Sequence, residues 1–213
     1  MTVTTVSCND RVMSSRKTEL LDAALKYLLE HGVANASLRP MAAELGTSPR
    51  ILMFHFRSKE GLFQDVFEEL HCRLRASLRA TVSIDSDSFH VPPLRLFWQW
   101  ATSKENLPYF CLLYEAQIVA LQNPQEYGRY LRKASGDWQA AAFDLMSPSL
   151  KSKAMASLCI AVFDGLMIEL ISGGDMQHLS EALDLFISMA TGVSPTGKSR
   201  RSDRNRGRAV QKR

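Results

Sequence analysis

Apolar residues recur every three or four positions along almost the whole chain, and no stretch alternates apolar and β-branched residues between hairpin turns. The pattern predicts an all-α protein. A first amphipathic helix is predicted over residues 15 to about 31, with Leu21, Ala24, Leu25 and Leu28 on one face. Gly32 follows where a left-handed residue closes a helix, and Val33 offers the apolar contact that accompanies such a stop. Ser37 caps a second helix ending near Leu45, which tolerates Pro40 because the first turn needs no amide donor there. Gly46 ends it. Ser48 followed by Pro49 opens a short third helix to about Phe56, and Ser58 caps a long fourth helix over residues 59 to about 79.

The polar run 81–91, with Asp85-Ser86-Asp87-Ser88, predicts a loop that closes the first unit. Beyond it, helices are predicted at about 93–103, 107–122, 124–146, 149–172 and 179–191, punctuated by Asn123-Pro124, Ser147-Pro148 and Gly173-Gly174. Residues 1–14 and 194–213 lack apolar periodicity and are expected to be disordered. The division that follows is a three-helix unit over 15–60, a connecting helix over 61–80 and a larger helical domain over 81–193.

A chain of 213 residues buries a self-sufficient core. The four cysteines (Cys8, Cys72, Cys111, Cys159) form no CxxC pair and have no histidine at zinc-finger spacing, so they are expected to be reduced thiols in a cytoplasmic protein without a metal. The N-terminal stretch lacks the basic, apolar and small-residue order of a secretion signal. Fourteen of the eighteen residues 154–171 are apolar, but Asp164 and Glu169 interrupt them, and each would cost ~2.5 to 3.5 kcal/mol at a bilayer centre. A buried helix is expected there, with no membrane partner.

Charge changes the picture less than the net +4 suggests. Eight basic side chains against Asp203 lie in 194–213, so the remainder of the chain is net negative and the basic balance is no evidence for a DNA-binding domain. The tail can add sequence-independent affinity for phosphates, or be a solvated extension only.

The evidence for DNA lies in spacing. Residues 38–57 hold two helices joined by a Gly-containing turn, the unit that fits a major groove about 12 Å wide. Leu38, Met41, Ala42, Leu45, Leu52 and Phe56 are its expected inner faces. Thr47, Ser48 and Arg50 stand at the exposed start of the second helix, where free amides and an arginine suit a phosphate or a guanine edge. Lys59 stands in the first turn of a helix, against the positive end of the macrodipole at a local cost of ~0.3 to 1 kcal/mol, and a phosphate there would reverse the sign. Taken singly, each has a blander explanation: Arg50 as a solvated charge, His55 as a half-buried helix histidine, Thr47 and Ser48 as caps.

The run Arg50-Ile-Leu-Met-Phe-His-Phe-Arg-Ser-Lys-Glu-Gly-Leu-Phe63, preceded by Ala42-Ala43-Glu44-Leu45-Gly46, resembles the recognition-helix signature of the TetR family of transcriptional regulators. The resemblance spans about residues 16–67. It implies DNA contacts at Ser37, Arg39, Thr47, Ser48, Arg50, Met53, Phe54, His55 and Lys59, with His55 and Lys59 on phosphates. Met41 stands where the family usually has Ile or Val, and Ile51 where it often has a small residue or threonine.

Two apolar stripes on 154–171 suggest a helix that packs inward on one side and against a second copy on the other. With the last helix, Met155, Leu158, Val162, Leu166, Leu170, Leu183, Phe186 and Ile187 are the expected homodimer surface. The resemblance further implies an apolar effector pocket, for which Trp98, Trp100, Tyr114 and Phe163 are the expected contacts.

No nucleophile elbow, phosphate loop, zinc-protease motif or calcium loop is present, so no enzyme activity and no cofactor are expected. The sequence therefore points to a repressor that binds double-stranded operator DNA as a homodimer and is released by a small hydrophobic or aromatic effector. The alternative is a helical ligand carrier or an architectural DNA-binding protein.

Overall fold

Helix α1 (Ser15–His31) buries Leu20, Leu21, Ala24, Leu25, Tyr27 and Leu28, one continuous face, in the computed structural model. The structure describes residues 15–34, 36–84 and 92–192, and all regular structure among them is helical. The expected N-terminal arm and basic tail lie outside the described residues, as does most of the expected polar loop. Gly32 takes a left-handed φ of +74° with its N–H on the Leu28 carbonyl at 2.9 Å, and Val33 is buried beside it.

Helix α2 (Leu38–Glu44) follows Ser37, whose backbone is extended but whose hydroxyl makes no capping bond. A turn through Gly46 at φ +62° leads to α3 (Pro49–Phe56), where the Ser48 hydroxyl accepts the Ile51 N–H at 3.3 Å. Met41, Ala42, Leu52 and Phe56 are buried between these helices, and Leu38 and Leu45 pack at the margin.

Helix α4 (Lys59–Ile84) starts under the Ser58 hydroxyl, which accepts the Gly61 N–H at 2.9 Å. It runs about one turn past the expected end, so the break expected at 81 lies inside the helix. Thr81 is held there by its own hydroxyl, which donates to the Ser77 carbonyl at 3.0 Å. Leu62, Val66, Phe67, Leu70 and Leu74 are fully buried along α4. Glu69, also buried, accepts from Arg73 at 2.8 Å, and Arg73 pairs in addition with Asp22 of α1. A second tie, Lys17 to Asp65 at 2.6 Å, joins the same two helices.

The rest of the chain folds as α5 (Pro93–Ala101), α6 (Leu107–Gln122), α7 (Pro124–Asp144), α8 (Lys153–Ile171) and α9 (Met176–Thr191). Helix α8 begins later than the apolar pattern suggests because Ser152 is the working cap, accepting the Met155 N–H at 3.1 Å. Helix α9 begins earlier, since Asp175 caps it through the His178 N–H at 2.8 Å. Helix α5 is the bracket of this domain. The Trp98 indole N–H donates to Ser180 of α9 at 3.0 Å, the Trp100 indole N–H to Ser77 of α4 at 3.2 Å, and Arg95 pairs with Asp184.

Helix α8 departs from the buried helix expected from its composition. Only Ala156, Phe163 and Met167 are buried within the chain, and a flank bearing Leu158, Ala161, Gly165 and Ile168 is exposed. By length and composition it is the one helix among the described residues that could cross a membrane. Cys72, Cys111 and Cys159 are half-buried and form no disulfide among the described residues; burial pushes the Cys111 and Cys159 thiols up.

Candidate nucleic-acid interface and ligand cavity

Burying Leu52 and Phe56 turns the opposite side of α3 outward, and the residues there are the ones expected to read DNA. Arg50 is exposed, Met53 is exposed and Phe54 stands 81% exposed, an unusual position for a phenyl ring without a partner. His55 is half-buried, with its ring 5.1 Å from that of Phe54. Ser37 and Arg39 are exposed at the start of α2. Among the described residues, Arg39, Arg50, Arg57 and Lys59 form no ion pair with a carboxylate, so their charges are available to an external anion.

Three expected contacts are placed less openly than the sequence suggests. The Thr47 hydroxyl oxygen is enclosed by the turn, without a hydrogen-bond partner among the described residues, because the Thr47 N–H folds back onto the Ala42 carbonyl at 2.9 Å. The Ser48 hydroxyl is occupied as the cap of α3. Lys59 is half-buried, its Nζ 5.1 Å from the centre of the Phe63 ring, so the side chain lies along the start of α4.

Sequence reasoning missed the joint between α3 and α4. Arg57 takes φ +68° and ψ −43°, and the Ser58 N–H reaches back to the Phe56 carbonyl at 2.9 Å, a γ-turn. A strained non-glycine residue is thus held, charged and exposed, between the recognition helix and α4. Gly61 belongs to the same joint: a Cβ there would lie 2.3 Å from the Phe56 carbonyl oxygen. The Gly61 position inside a helical pattern was the available signal for this close approach.

The larger domain holds a partly open cavity of about 990 Å³ between the end of α4 and α5, α6, α7, α8 and α9. Tyr114 and Phe163 line it, as expected. Trp98 and Trp100 do not: they are 2% and 5% exposed, turned away into the core, and their indole N–H groups are spent on Ser180 and Ser77. Phe97, Phe110 and Trp138 form the aromatic wall in their place, with the Phe97 and Phe163 rings 4.4 Å apart. Tyr114 donates to Asp164 at 2.8 Å; burial and this carboxylate push its hydroxyl well above the ordinary phenol range.

The expected dimer surface is also rearranged. Leu183 is fully buried in the core, Met155, Phe186 and Ile187 face the cavity, and Val162, Leu166 and Leu170 pack against the core. Of the expected set only Leu158 lies on the exposed flank of α8, beside Ile168, which is 53% exposed; on α9 the open positions are Leu185 and Met189. With fourteen of eighteen residues apolar, the few polar positions of this helix, Ser157, Asp164 and Glu169, do not mark which stripe faces inward.

Residues 20–66 match the family model of bacterial regulatory proteins of the tetR family. An HTH-type transcriptional repressor of Mycobacterium tuberculosis is 24% identical over 184 residues, covering 81% of this chain and 91% of its own length. The nicotine-responsive HTH-type transcriptional repressor HdnoR of Paenarthrobacter nicotinovorans is 27% identical over 164 residues, covering 72% and 82%. The chain is a DNA-binding transcriptional regulator whose segment 20–66 is of tetR type. A solved transcriptional regulator from Rhodococcus sp. Rha1 shares the fold of this chain, with a TM-score of 0.68 at 20% identity over 84% of this chain and 97% of the other. The segment matched by the family model comprises most of α1, all of α2 and α3 and the start of α4, the stretch that carries Arg39, Arg50, Arg57 and Lys59.

Proposed function

We propose that the chain is a repressor that binds a pseudo-palindromic operator as a homodimer and is released by a small apolar effector. The observation that carries the DNA reading is the outward side of α3, where Arg50, Met53 and Phe54 are exposed beside cations without carboxylate partners. The base-reading group is Arg50, which can form a bidentate pair with guanine. Ser37, Arg39, His55 and Lys59 hold phosphates, together with the amides at the start of α3; Thr47 contributes its backbone position rather than its hydroxyl.

One α3 reads one half-site, and two must reach successive major grooves ~34 to 36 Å apart, hence a dimer. The exposed flank of α8 with Leu158, Ala161, Gly165 and Ile168, together with Leu185 and Met189 of α9, supports pairing through these helices. Small residues at 161 and 165 would let two copies of α8 approach closely. The apolar cavity supports an effector, and the similarity to a nicotine-responsive repressor fits a small-molecule input.

Selection of bound oligonucleotides from a random duplex pool tests the reading. A two-fold symmetric motif is expected. Binding to it should weaken at least roughly tenfold in Arg50→Ala and in Phe54→Ala, the loss of one good base contact per half-site, with thermal stability unchanged. No enriched motif, or variants that bind like the parent, would overturn it.

A further inference from the structure

The cavity wall is one-sided in charge. Among the described residues that line it there is no lysine, arginine or histidine, while two carboxylates, Asp144 and Asp164, are present. Asp144 is exposed at the end of α7. Asp164 is half-buried, on the most apolar helix of the chain, with Phe163 beside it in sequence. Its Oδ1 accepts the Tyr114 hydroxyl at 2.8 Å, and no cation lies within ion-pair distance of it among the described residues.

A carboxylate has about four acceptor sites, and burying it with one neutral donor leaves most of its lost hydration unreplaced. Burial accordingly holds the Asp164 carboxyl above its usual range, against the lowering effect of the Tyr114 bond. The same cavity is lined by Phe97, Phe110, Trp138 and Phe163, aromatic groups that attract positive charge. An anionic ligand would find no counter-charge and would face Asp164; an uncharged one would leave the carboxylate as it is. A cation would be paired and surrounded by rings at once.

We propose that the cavity takes an apolar cation, a protonated amine or quaternary ammonium on a hydrophobic or aromatic body, with its charge held by Asp164 and oriented by Tyr114. This deepens the effector reading above and rests on it. The volume of about 990 Å³ lies at the upper end of the range for drug-sized ligands, so the body can carry more than one ring.

The test is direct binding of three probes of one shape to the full chain, followed by calorimetry: naphthylmethyl-trimethylammonium, its uncharged isostere neopentylnaphthalene, and naphthylacetate. The cation is expected to bind at least roughly tenfold tighter than the isostere, although the isostere is the more apolar body. In Asp164→Asn, which keeps the shape and removes the charge, that order should reverse, and retained binding of neopentylnaphthalene shows that the cavity is intact. An isostere or anion that binds the parent as tightly as the cation overturns the charge assignment while leaving the effector cavity standing, as does a cation preference that survives in Asp164→Asn. If none of the three binds, the effector reading itself falls.

Discussion

The Glu115 carboxylate accepts the Val33 N–H at 2.7 Å, tying α6 of the larger domain to the turn that follows α1. The neighbouring residue, Tyr114, lines the cavity, so two consecutive positions on one helix touch the cavity and the N-terminal helical unit. Val33 is buried, and its amide without the carboxylate would be an unsatisfied donor. Glu115→Ala is expected to lower the unfolding free energy by about 1 to 3 kcal/mol in urea titration, and Glu115→Gln, which keeps an acceptor, by less. Equal losses in the two variants would show that the bond to Val33 is not what Glu115 contributes.

Gly61 is predicted to be intolerant of even one methyl group. Its Cβ would meet a backbone oxygen, that of Phe56, which cannot rotate aside and already accepts the Ser58 N–H. Gly61→Ala should cost about 1 to 3 kcal/mol and lower the melting temperature, with operator binding impaired through the displaced α3. A variant as stable as the parent would mean that α3 and α4 separate freely.

The proposed pairing of α8 is open to a single substitution. Ile168 is exposed and plays no part in the core, so Ile168→Glu is expected to keep the helical circular-dichroism spectrum while sedimentation shows monomers. Loss of operator affinity should accompany the change. A dimer that persists would move the interface elsewhere.

Protonation of His71 provides a pH test. Burial is the main cause that holds its imidazole down at about 4, although Asp137 lies 3.3 Å away and Arg75 pairs with the same carboxylate at 2.6 Å. The folded state thus favours the neutral ring. Its contribution to stability is complete above the ordinary value of 6.5 and is lost as the pH falls from there towards about 4, by about 3 kcal/mol in total. His71→Gln, which cannot titrate, should flatten that part of the stability profile; an unchanged slope would assign the acid loss to other groups.

How far the sequence could be read follows from what marks each feature. Helix ends signalled by a cap and a proline, as at Ser48-Pro49 and Asn123-Pro124, were legible because the signal is local. The exposed side of α3 was legible because Leu52 and Phe56 state which side is buried. The orientation of α8 was not, since nearly every residue is apolar. Trp98 and Trp100 were misplaced because an indole gives no hint of its hydrogen-bond partner, here Ser180 and Ser77, both distant in sequence. Asp164 carried a signal, a charge in an apolar run, but its meaning depended on Tyr114 of another helix.

Helix α4 has 26 residues, and it begins against the recognition helix and ends beside the cavity, where Leu78 is part of the wall. At 1.5 Å per residue it is a rod ~39 Å long. A tilt of ~5° about one end displaces the other by ~3 Å over that length, about the reach of a hydrogen bond. Under the proposed function, leverage of this kind would make a ligand-sized adjustment at one end large enough to lose a base contact at the other, without any helix unfolding.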